Sequence, residues 1–383
     1  MFNYYQPSRI HFGIGKLKEL GEVAAKYGKK CLLVTTPNET PLDKLYTRVK
    51  EILSNENIEV IHFDKVLSNP TIEIVNEGFK IAKREDFDFV LAVGGGSSID
   101  TGKIIALTNG LESIDWERLF SDYTSPFIKY DSLSEKGLPL IAVSTTSGTG
   151  SQVTQASVIS IGKNKNTIFH PDNFSKECIV DPELMKTLPP RITASTGFDA
   201  FTHAFESYIN KNSSVITEIQ SLKAMELVIN NLQGAFDQGE NIKYRENLAI
   251  ADTLAGSSLA NVGAAAPHPL SEIIGGIINI PHGEALAVIF PAFVKKYYIS
   301  YINKFATVAR LFNNDLNNEE DEKAAGELYN ELNKFLSKLG LKKRLRDFNV
   351  SKEQLQEVLE SPILGFLPFG TKEELQEIIK QSY

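Results

Sequence analysis

An aspartate and a histidine stand four residues apart in the segment TGFDAFTHAFESY, residues 196–208, whose other side chains are mostly apolar. On a helix, Asp199 and His203 would share one face, with their Cβ atoms roughly 5–6 Å apart. Such a pair either makes a polar contact on the helix surface or supplies two ligands to a metal ion. Taken alone the pair favours the surface contact, so the remaining histidines decide between the two interpretations.

Two more histidines follow later in the chain, and each comes directly after a proline. His268 in APHPLSE and His282 in NIPHGEA both stand where a helix is expected to begin. A lone histidine is more often an ordinary core or surface residue, but three of them with a nearby aspartate change that balance. One carboxylate with three imidazoles, from Asp199, His203, His268 and His282, suits a divalent Fe, Zn, Co, Ni or Mn ion. Such an ion with an open position acts as a Lewis acid.

A glycine-rich loop in the first half is a candidate phosphate site. In VLAVGGGSSIDTGK, residues 90–103, the glycines directly follow a predicted strand, and a helix opens with Ser97 and Asp100. Glycines such as Gly95 and Gly96 let backbone approach a ligand, and a helix N-terminus offers free N–H groups, so a pyrophosphate fits here. The alternative is a tight turn that needs glycine for its dihedral angles, and the GxGxxG fingerprint is absent.

A second loop of small residues, STTSGTGSQVT at residues 144–154, favours the phosphate interpretation over the turn. The hydroxyls of Thr145, Thr146 and Thr149 suit a nicotinamide amide or a ribose. Asn69, in SNPT, either binds the ribose or caps the helix that follows.

The elements that must position these residues change in the middle of the chain. In the first half, short runs rich in Val, Ile and Leu alternate with segments of helical period, which predicts a parallel sheet covered by helices. From about Thr193 onward only helical patterns remain, and Pro189 and Pro190 mark a break before them. The prediction is an α/β domain at residues 1–185, followed by an all-helical domain at residues 186–383.

Composition excludes several classes of protein. The net charge is −8 over 383 residues, without the basic run expected of a nucleic-acid binder. No stretch approaches 18 uncharged apolar residues, and the N-terminus has no signal-peptide core, so we expect a cytoplasmic protein without a membrane span. The two cysteines, Cys31 and Cys178, fall in predicted strands and are expected to be buried free thiols.

Four segments together resemble the iron-containing (group III) alcohol dehydrogenases. They are GGGSSIDTGK, TTSGTGSQVT, DPELMKTLPPRITASTGFDAFTHAFESY and APHPLSEIIGGIINIPHGEALAV, and they are collinear. The resemblance implies a dehydroquinate synthase-like fold, in which the first domain is a Rossmann-like dinucleotide-binding domain and the second, helical domain binds the metal. It also implies hydride transfer between NAD or NADP and a small primary alcohol or aldehyde. The metal, Fe²⁺ with Zn²⁺ as an alternative, would act as a Lewis acid on the substrate oxygen, and the protein would be a homodimer or a larger homo-oligomer.

The resemblance also assigns residues by position. The metal ligands would be Asp199, His203, His268 and His282, and the cofactor would contact Thr36, Asn69, Gly95, Gly96, Ser97, Asp100, Thr145, Thr146, Thr149 and Lys165. Lys165 would lie near the nicotinamide ribose. The catalytic candidates are His268, Glu272 and Lys165.

Two departures from the family pattern bear on function. Glu272 stands where many members have a histidine, four residues after His268, and would serve as a partner of a ligand, a proton relay or a pocket acid. Thr36 stands where NAD-using members often have an aspartate, so a 2′-phosphate is not repelled and both cofactors stay open. A dehydroquinate synthase-like lyase that uses NAD and Zn, and a non-catalytic dinucleotide-binding protein, are the alternative functions.

Overall fold

The computed structural model describes residues 2–367 and 369–383. The chain divides into two compact units, Met1–Thr187 and Leu188–Tyr383. The first contains all the β-strands of the described residues, and the second is helical throughout them.

Unit 1 is built on a six-stranded parallel sheet in the order β1-β8-β5-β4-β2-β3, with β6 and β7 forming a separate antiparallel hairpin. The strands are β1 Arg9–Phe12, β2 Lys30–Val34, β3 Glu59–Phe63, β4 Phe89–Gly94, β5 Leu140–Ser144, β6 Ala156–Ile161, β7 Asn164–Phe169 and β8 Glu177–Val180. Its α-helices are α1 Leu20–Ala25, α2 Asp43–Asn55, α3 Ile72–Arg84, α4 Gly96–Thr108 and α5 Trp116–Asp122.

The central strands are continuous apolar runs because both of their faces are covered. Every residue of β4 and β5 is buried, and side chains of β2 and β4 pack against apolar residues of α1 and α2. Both cysteines, Cys31 on β2 and Cys178 on β8, are buried as expected, and neither forms a disulfide within the described residues. All six strands run the same way, so the loops after β2, β3, β4 and β5 leave the same edge of the sheet. The strand order reverses between β2 and β4, and ligands bind at such switch points in open α/β sheets.

Two strands lack the long apolar run of the central strands. β1, RIHF, pairs in parallel with β8 of its own chain, and β7, NKNTIF, completes the hairpin with β6. The alternating strands and helices of the first half, and the purely helical second half, confirm the predicted fold class.

Unit 2 contains nine α-helices among the described residues. They are α6 Pro190–Ile209, α7 Val215–Asp237, α8 Ile242–Val262, α9 Pro267–Ile278, α10 His282–Tyr297, α11 Ile302–Phe312, α12 Asp321–Lys338, α13 Lys352–Glu360 and α14 Lys372–Gln381. The phenylalanines of α6 pack into the core of this unit: Phe201 and Phe205 both meet Phe290 of α10 edge to face.

Within the described residues, one helical stretch, His282–Phe312, is long and apolar enough to cross a membrane by length and composition. It is broken by a 3₁₀ turn at Tyr298–Tyr301, and more than half of its most apolar part is buried. Its side chains Phe290, Phe293 and Phe305 are fully buried in the core of unit 2, as in a core helix of a globular protein.

Candidate active site

The two glycine-rich loops of unit 1 meet at the carboxyl edge of the sheet. Gly95 precedes the first residue of α4 without a side-chain cap. A Cβ on Gly95 would lie 3.1 Å from the Thr146 side chain, and one on Gly96 would lie 2.8 Å from Thr149. The loop after β4 and the loop after β5 therefore pack with no room for a larger residue, which brings four of the predicted cofactor residues together.

This loop pair carries polar groups suited to a ligand. The Thr146 hydroxyl oxygen is buried and has no hydrogen-bond partner among the described residues. The start of α4, a helix of 13 residues, supplies backbone N–H groups. Thr145 is buried beside them, with its N–H donated to Gly94 O at 3.0 Å, and Ser97 is half-buried in the first turn of α4. The loops thus fit a pyrophosphate.

Asp100 faces inward from α4. Its carboxylate accepts from Ser151 Oγ at 2.5 Å and from Val158 N at 2.9 Å. Lys103, fully buried, lies 3.9 Å from Asp100 Oδ1 and donates to Ala156 O at 2.7 Å. Burial lowers the pKa of Lys103 to about 8, despite the opposing charge of Asp100. Both oxygens of Asp100 therefore join α4 to the segment that follows β5.

Asn69 and Lys165 lie on neighbouring segments. Asn69 has a left-handed φ of 56°, and the residue before α3 is Thr71, so Asn69 is not the cap of that helix. Lys165 on β7 pairs in register with Ser160, whose N–H donates to Pro70 O at 2.8 Å. The β6–β7 hairpin therefore adjoins the Asn69 loop.

Thr36 is the second residue after β2, at the switch point of the sheet. Its hydroxyl lies 2.7 Å from the Tyr46 hydroxyl, and the neighbouring Thr35 hydroxyl lies 2.8 Å from His62 Nε2. Burial, with a smaller effect from the charge of Lys50, lowers the pKa of His62 to about 4. The Tyr46 hydroxyl, which contacts Thr36, and the His62 ring, which contacts Thr35, are therefore neutral near pH 7.

In unit 2, three of the four predicted metal ligands converge. Ligand atoms of Asp199, His268 and His282 all lie within 4.8 Å of one another. Asp199 Oδ1 is 3.2 Å from His268 Nε2 and 3.6 Å from His282 Nε2. One carboxylate oxygen and two imidazole nitrogens suit a divalent first-row metal, so the residues fit the ion that the sequence predicts.

The local fold explains this convergence. Asp199 is buried in the middle of α6, while His268 is the second residue of α9 and His282 the first of α10. The prolines before the two histidines start these helices, as the sequence indicated. The Asp199 and His268 side chains are 5% and 8% exposed, against 29% for His282, so solvent reaches the cluster on the His282 side.

His203 lies beside this cluster. Its Nδ1 is 3.7 Å from Asp199 Oδ1, and its ring stacks on that of His268 with the centroids 4.2 Å apart. The predicted i,i+4 pairing with Asp199 is present, but the ring stacking was not foreseen.

The electrostatics of the cluster favour a positive charge beside the Asp199 carboxylate. Burial acts to raise the pKa of the Asp199 carboxyl, but the charges of His203 and His282 and hydrogen bonds from the rings hold it far below its ordinary value. Burial acts to lower the pKa of His268, but Glu206 and Asp199 raise it to about 10. The two buried carboxylates thus stabilise a positive charge between them, whether a proton or a metal ion carries it.

Sequence reasoning missed Glu206 and Ser271. The Glu206 carboxylate is fully buried, with Oε1 2.5 Å from His268 Nδ1. The Ser271 hydroxyl lies 3.2 Å from His282 Nδ1. A signal was available for Glu206, because it follows Asp199 by seven residues and so shares its helical face. Glu272, one turn after His268 on α9, is half-buried.

The start of α10 is anchored next to this site. Glu284 is buried and forms ion pairs with Arg191 of α6 and with Lys343, the latter at 3.0 Å. Gly283, between His282 and Glu284, directly contacts the α6 backbone, because a Cβ there would lie 2.2 Å from Ser195 O.

Comparison with known proteins identifies the chain's relatives. Residues 7–182 match the model of the iron-containing alcohol dehydrogenase family, and residues 193–383 match the C-terminal model of the same family. A choline dehydrogenase of Bacillus subtilis is 34% identical, with 97% of this chain and 91% of that protein covered. A 1,3-propanediol dehydrogenase of Citrobacter freundii is 31% identical, with 100% and 99% covered.

A solved structure agrees with these matches. The crystal structure of a halo-thermophilic archaeal alcohol dehydrogenase from a Red Sea brine pool superposes with a TM-score of 0.90 at 31% identity, covering 100% of this chain and 99% of that one. The matches favour a metal-dependent alcohol dehydrogenase over the lyase alternative. The chain belongs to the iron-containing alcohol dehydrogenase family.

Proposed function

We propose that this alcohol dehydrogenase holds Fe²⁺ through Asp199, His268 and His282, with His203 as the fourth donor. The observation that carries the proposal is the convergence of the three ligand atoms within 4.8 Å. Zn²⁺ suits the same donors and is the alternative ion. When bound, the metal would act as a Lewis acid on the oxygen of an alcohol or aldehyde, and NAD or NADP would accept or donate the hydride.

The chain's own residues would then bind and orient the reactants. The backbone of Gly95, Gly96 and Ser97 would hold the pyrophosphate, and the hydroxyls of Thr145, Thr146 and Thr149 would face the nicotinamide end. Asn69 and Lys165, on adjoining segments, would contact the ribose. Asp100 would support this loop from behind, because its oxygens already accept hydrogen bonds from Ser151 and Val158.

The adenosine end would tolerate both cofactors. Thr36 carries no charge, so it does not repel a 2′-phosphate, and the nearby His62 ring, whose pKa is lowered to about 4, adds no positive charge that would select for one near pH 7. We infer activity with NADH and with NADPH.

Small primary alcohols and their aldehydes are the proposed substrates. The names of two relatives, a choline dehydrogenase and a 1,3-propanediol dehydrogenase, indicate which compounds to test. Glu272 favours the first, because a carboxylate one turn from His268 would attract the trimethylammonium group of choline. The other roles for Glu272 are a partner of a ligand and a proton relay.

The test is an assay of metal content and turnover. The purified protein should contain about one equivalent of metal and should oxidise NADH or NADPH with C2–C6 aldehydes. His268→Ala should abolish turnover while leaving NADH binding, followed by fluorescence, unchanged. A metal-free protein inactive toward the whole panel, or full activity in the variant, would reject the proposal.

The cellular location and the oligomeric state are proposed from the family. We infer a cytoplasmic homodimer or larger homo-oligomer, in line with the family, and analytical ultracentrifugation of the full chain would test the assembly.

A further inference from the structure

We propose that Glu206 and Ser271 are positioning residues that fix the hydrogen positions on the two metal-binding histidines. Each contacts the Nδ1 of one ring: Glu206 that of His268, and Ser271 that of His282. The inference rests on the proposed metal site and adds to it the groups that keep each Nε2 free to bind the cation.

The direction of the first hydrogen bond follows from the contacts of Glu206. Its Oε2 accepts the backbone N–H of Ala265 at 2.7 Å and that of His268 at 3.4 Å. Its Oε1 meets His268 Nδ1 at 2.5 Å. A carboxylate only accepts hydrogen bonds, so Nδ1 carries a hydrogen toward Glu206. Nε2, 3.2 Å from Asp199 Oδ1, is then the nitrogen that would bind the cation, after the cation displaces its proton.

The second histidine, His282, is oriented by the Ser271 hydroxyl, which also places a hydrogen on Nδ1. Ser271 Oγ donates its one hydrogen to His268 O at 2.7 Å. Toward His282 Nδ1, at 3.2 Å, the hydroxyl can therefore only accept. His282 Nδ1 carries its hydrogen, and Nε2 is left facing Asp199 Oδ1 at 3.6 Å.

The burial of these groups makes the arrangement rigid. Glu206 and Ser271 are both fully buried, and Glu206 lies on the same helix and the same face as Asp199. Helix α6 thus supplies both the ligand Asp199 and the partner of the ligand His268. Two positions on α6 therefore resist a shift of α9, which carries His268. Mutating a residue that hydrogen-bonds to a metal ligand typically lowers metal affinity 10–100-fold.

Glu206→Gln tests the hydrogen position and not merely the charge. Two backbone N–H groups point at Oε2, so the glutamine must place its carbonyl oxygen there and turn its NH₂ group toward His268 Nδ1. Nδ1 would then have to accept, and the hydrogen would move to Nε2, where it blocks the metal. The volume of the side chain is unchanged.

The experiment titrates Co²⁺ into the metal-stripped full chain and follows the visible absorption of the bound ion. We expect Glu206→Gln to raise the Kd for Co²⁺ by 10–100-fold. Ser271→Ala, which removes a single neutral hydrogen bond, should raise it about 5-fold. Urea unfolding midpoints and NADH binding verify that each variant is folded.

The matched control is Glu177→Gln. Glu177 is also a buried glutamate in contact with a histidine, at 2.7 Å from His11 Nε2, but it lies on β8 of unit 1. This variant should bind Co²⁺ with the wild-type Kd.

The outcomes separate this inference from the proposed site. If wild type and His268→Ala bind Co²⁺ equally, the metal site itself is wrong. If His268→Ala loses binding while folded Glu206→Gln and Ser271→Ala both keep the wild-type Kd, the site stands and the positioning role is rejected.

Discussion

Gly283→Ala would separate two helices that bring metal ligands together. A Cβ at this position would lie 2.2 Å from Ser195 O and 2.7 Å from Ser195 C, whereas real Cβ contacts essentially never fall below 3.0 Å. The backbone of α10 or of α6 must therefore move by at least 0.8 Å, the difference between 3.0 and 2.2 Å. Because Gly283 directly follows His282, this displacement changes the distance from His282 to Asp199.

The size of the shift sets the expected effect. Metal–ligand distances tolerate about 0.2 Å, so a 0.8 Å displacement exceeds the tolerance about fourfold. We expect the metal affinity to fall at least 10-fold, which is the smallest loss typically seen when a residue that hydrogen-bonds to a metal ligand is mutated. Overpacking against backbone should also lower the free energy of unfolding of the metal-free protein by about 1–3 kcal/mol.

Gly326→Ala is the control for this prediction. It lies in α12 of the same unit, and the nearest atom to its added Cβ is Tyr298 Cε2 at 3.8 Å, an ordinary contact. This variant should leave metal affinity unchanged and stabilise the protein by about 0.5–1 kcal/mol. Co²⁺ titration and urea unfolding measure both quantities. A Gly283→Ala protein with wild-type affinity and stability would refute the close approach of α10 to α6.

Three further predictions concern charge. Thr36→Asp should raise the KM for NADPH at least 10-fold and change the KM for NADH little, because a carboxylate repels the 2′-phosphate. Equal effects on the two KM values would contradict the placement of Thr36 beside the 2′-position. Glu272→Gln should lower kcat/KM for choline more than that for 1,3-propanediol, and parallel losses would assign Glu272 another role. The folded-state pKa of His62, about 4, lies below the ordinary 6.5, so the unfolded chain binds the proton first. The stabilisation that His62 gives is therefore complete above about pH 6.5 and is lost as the pH falls toward 4. The free energy of unfolding in urea should differ less between pH 7 and pH 5 for His62→Gln than for wild type.

The fold class was predictable because its signals are local. Runs of Val, Ile and Leu such as residues 90–93 form the buried central strands, and proline placed His268 and His282 at helix starts. β1 and β7 were not predictable in this way, because each has only two apolar side chains among polar ones. β1 is a strand because β8, far along the chain, offers it a partner.

The candidate site was only partly predictable, for a similar reason. Helical spacing put Asp199 and His203 on one face, and the same spacing extends to Glu206. What the spacing could not show is that the turn before α9 brings Ala265 N and the His268 ring onto the Glu206 carboxylate. The role of such a residue depends on tertiary contacts, which a pattern within one helix does not contain.

The central claim is that Asp199, His268 and His282 bind one metal ion, and anomalous diffraction tests it most directly. Crystals of the enzyme purified with Fe²⁺ under exclusion of oxygen would be measured on both sides of the iron absorption edge. One strong anomalous peak is expected about 2.0–2.2 Å from Asp199 Oδ1, His268 Nε2 and His282 Nε2. A fully loaded crystal whose peak lies elsewhere, or whose iron is bound through Nδ1 of either histidine, would contradict it.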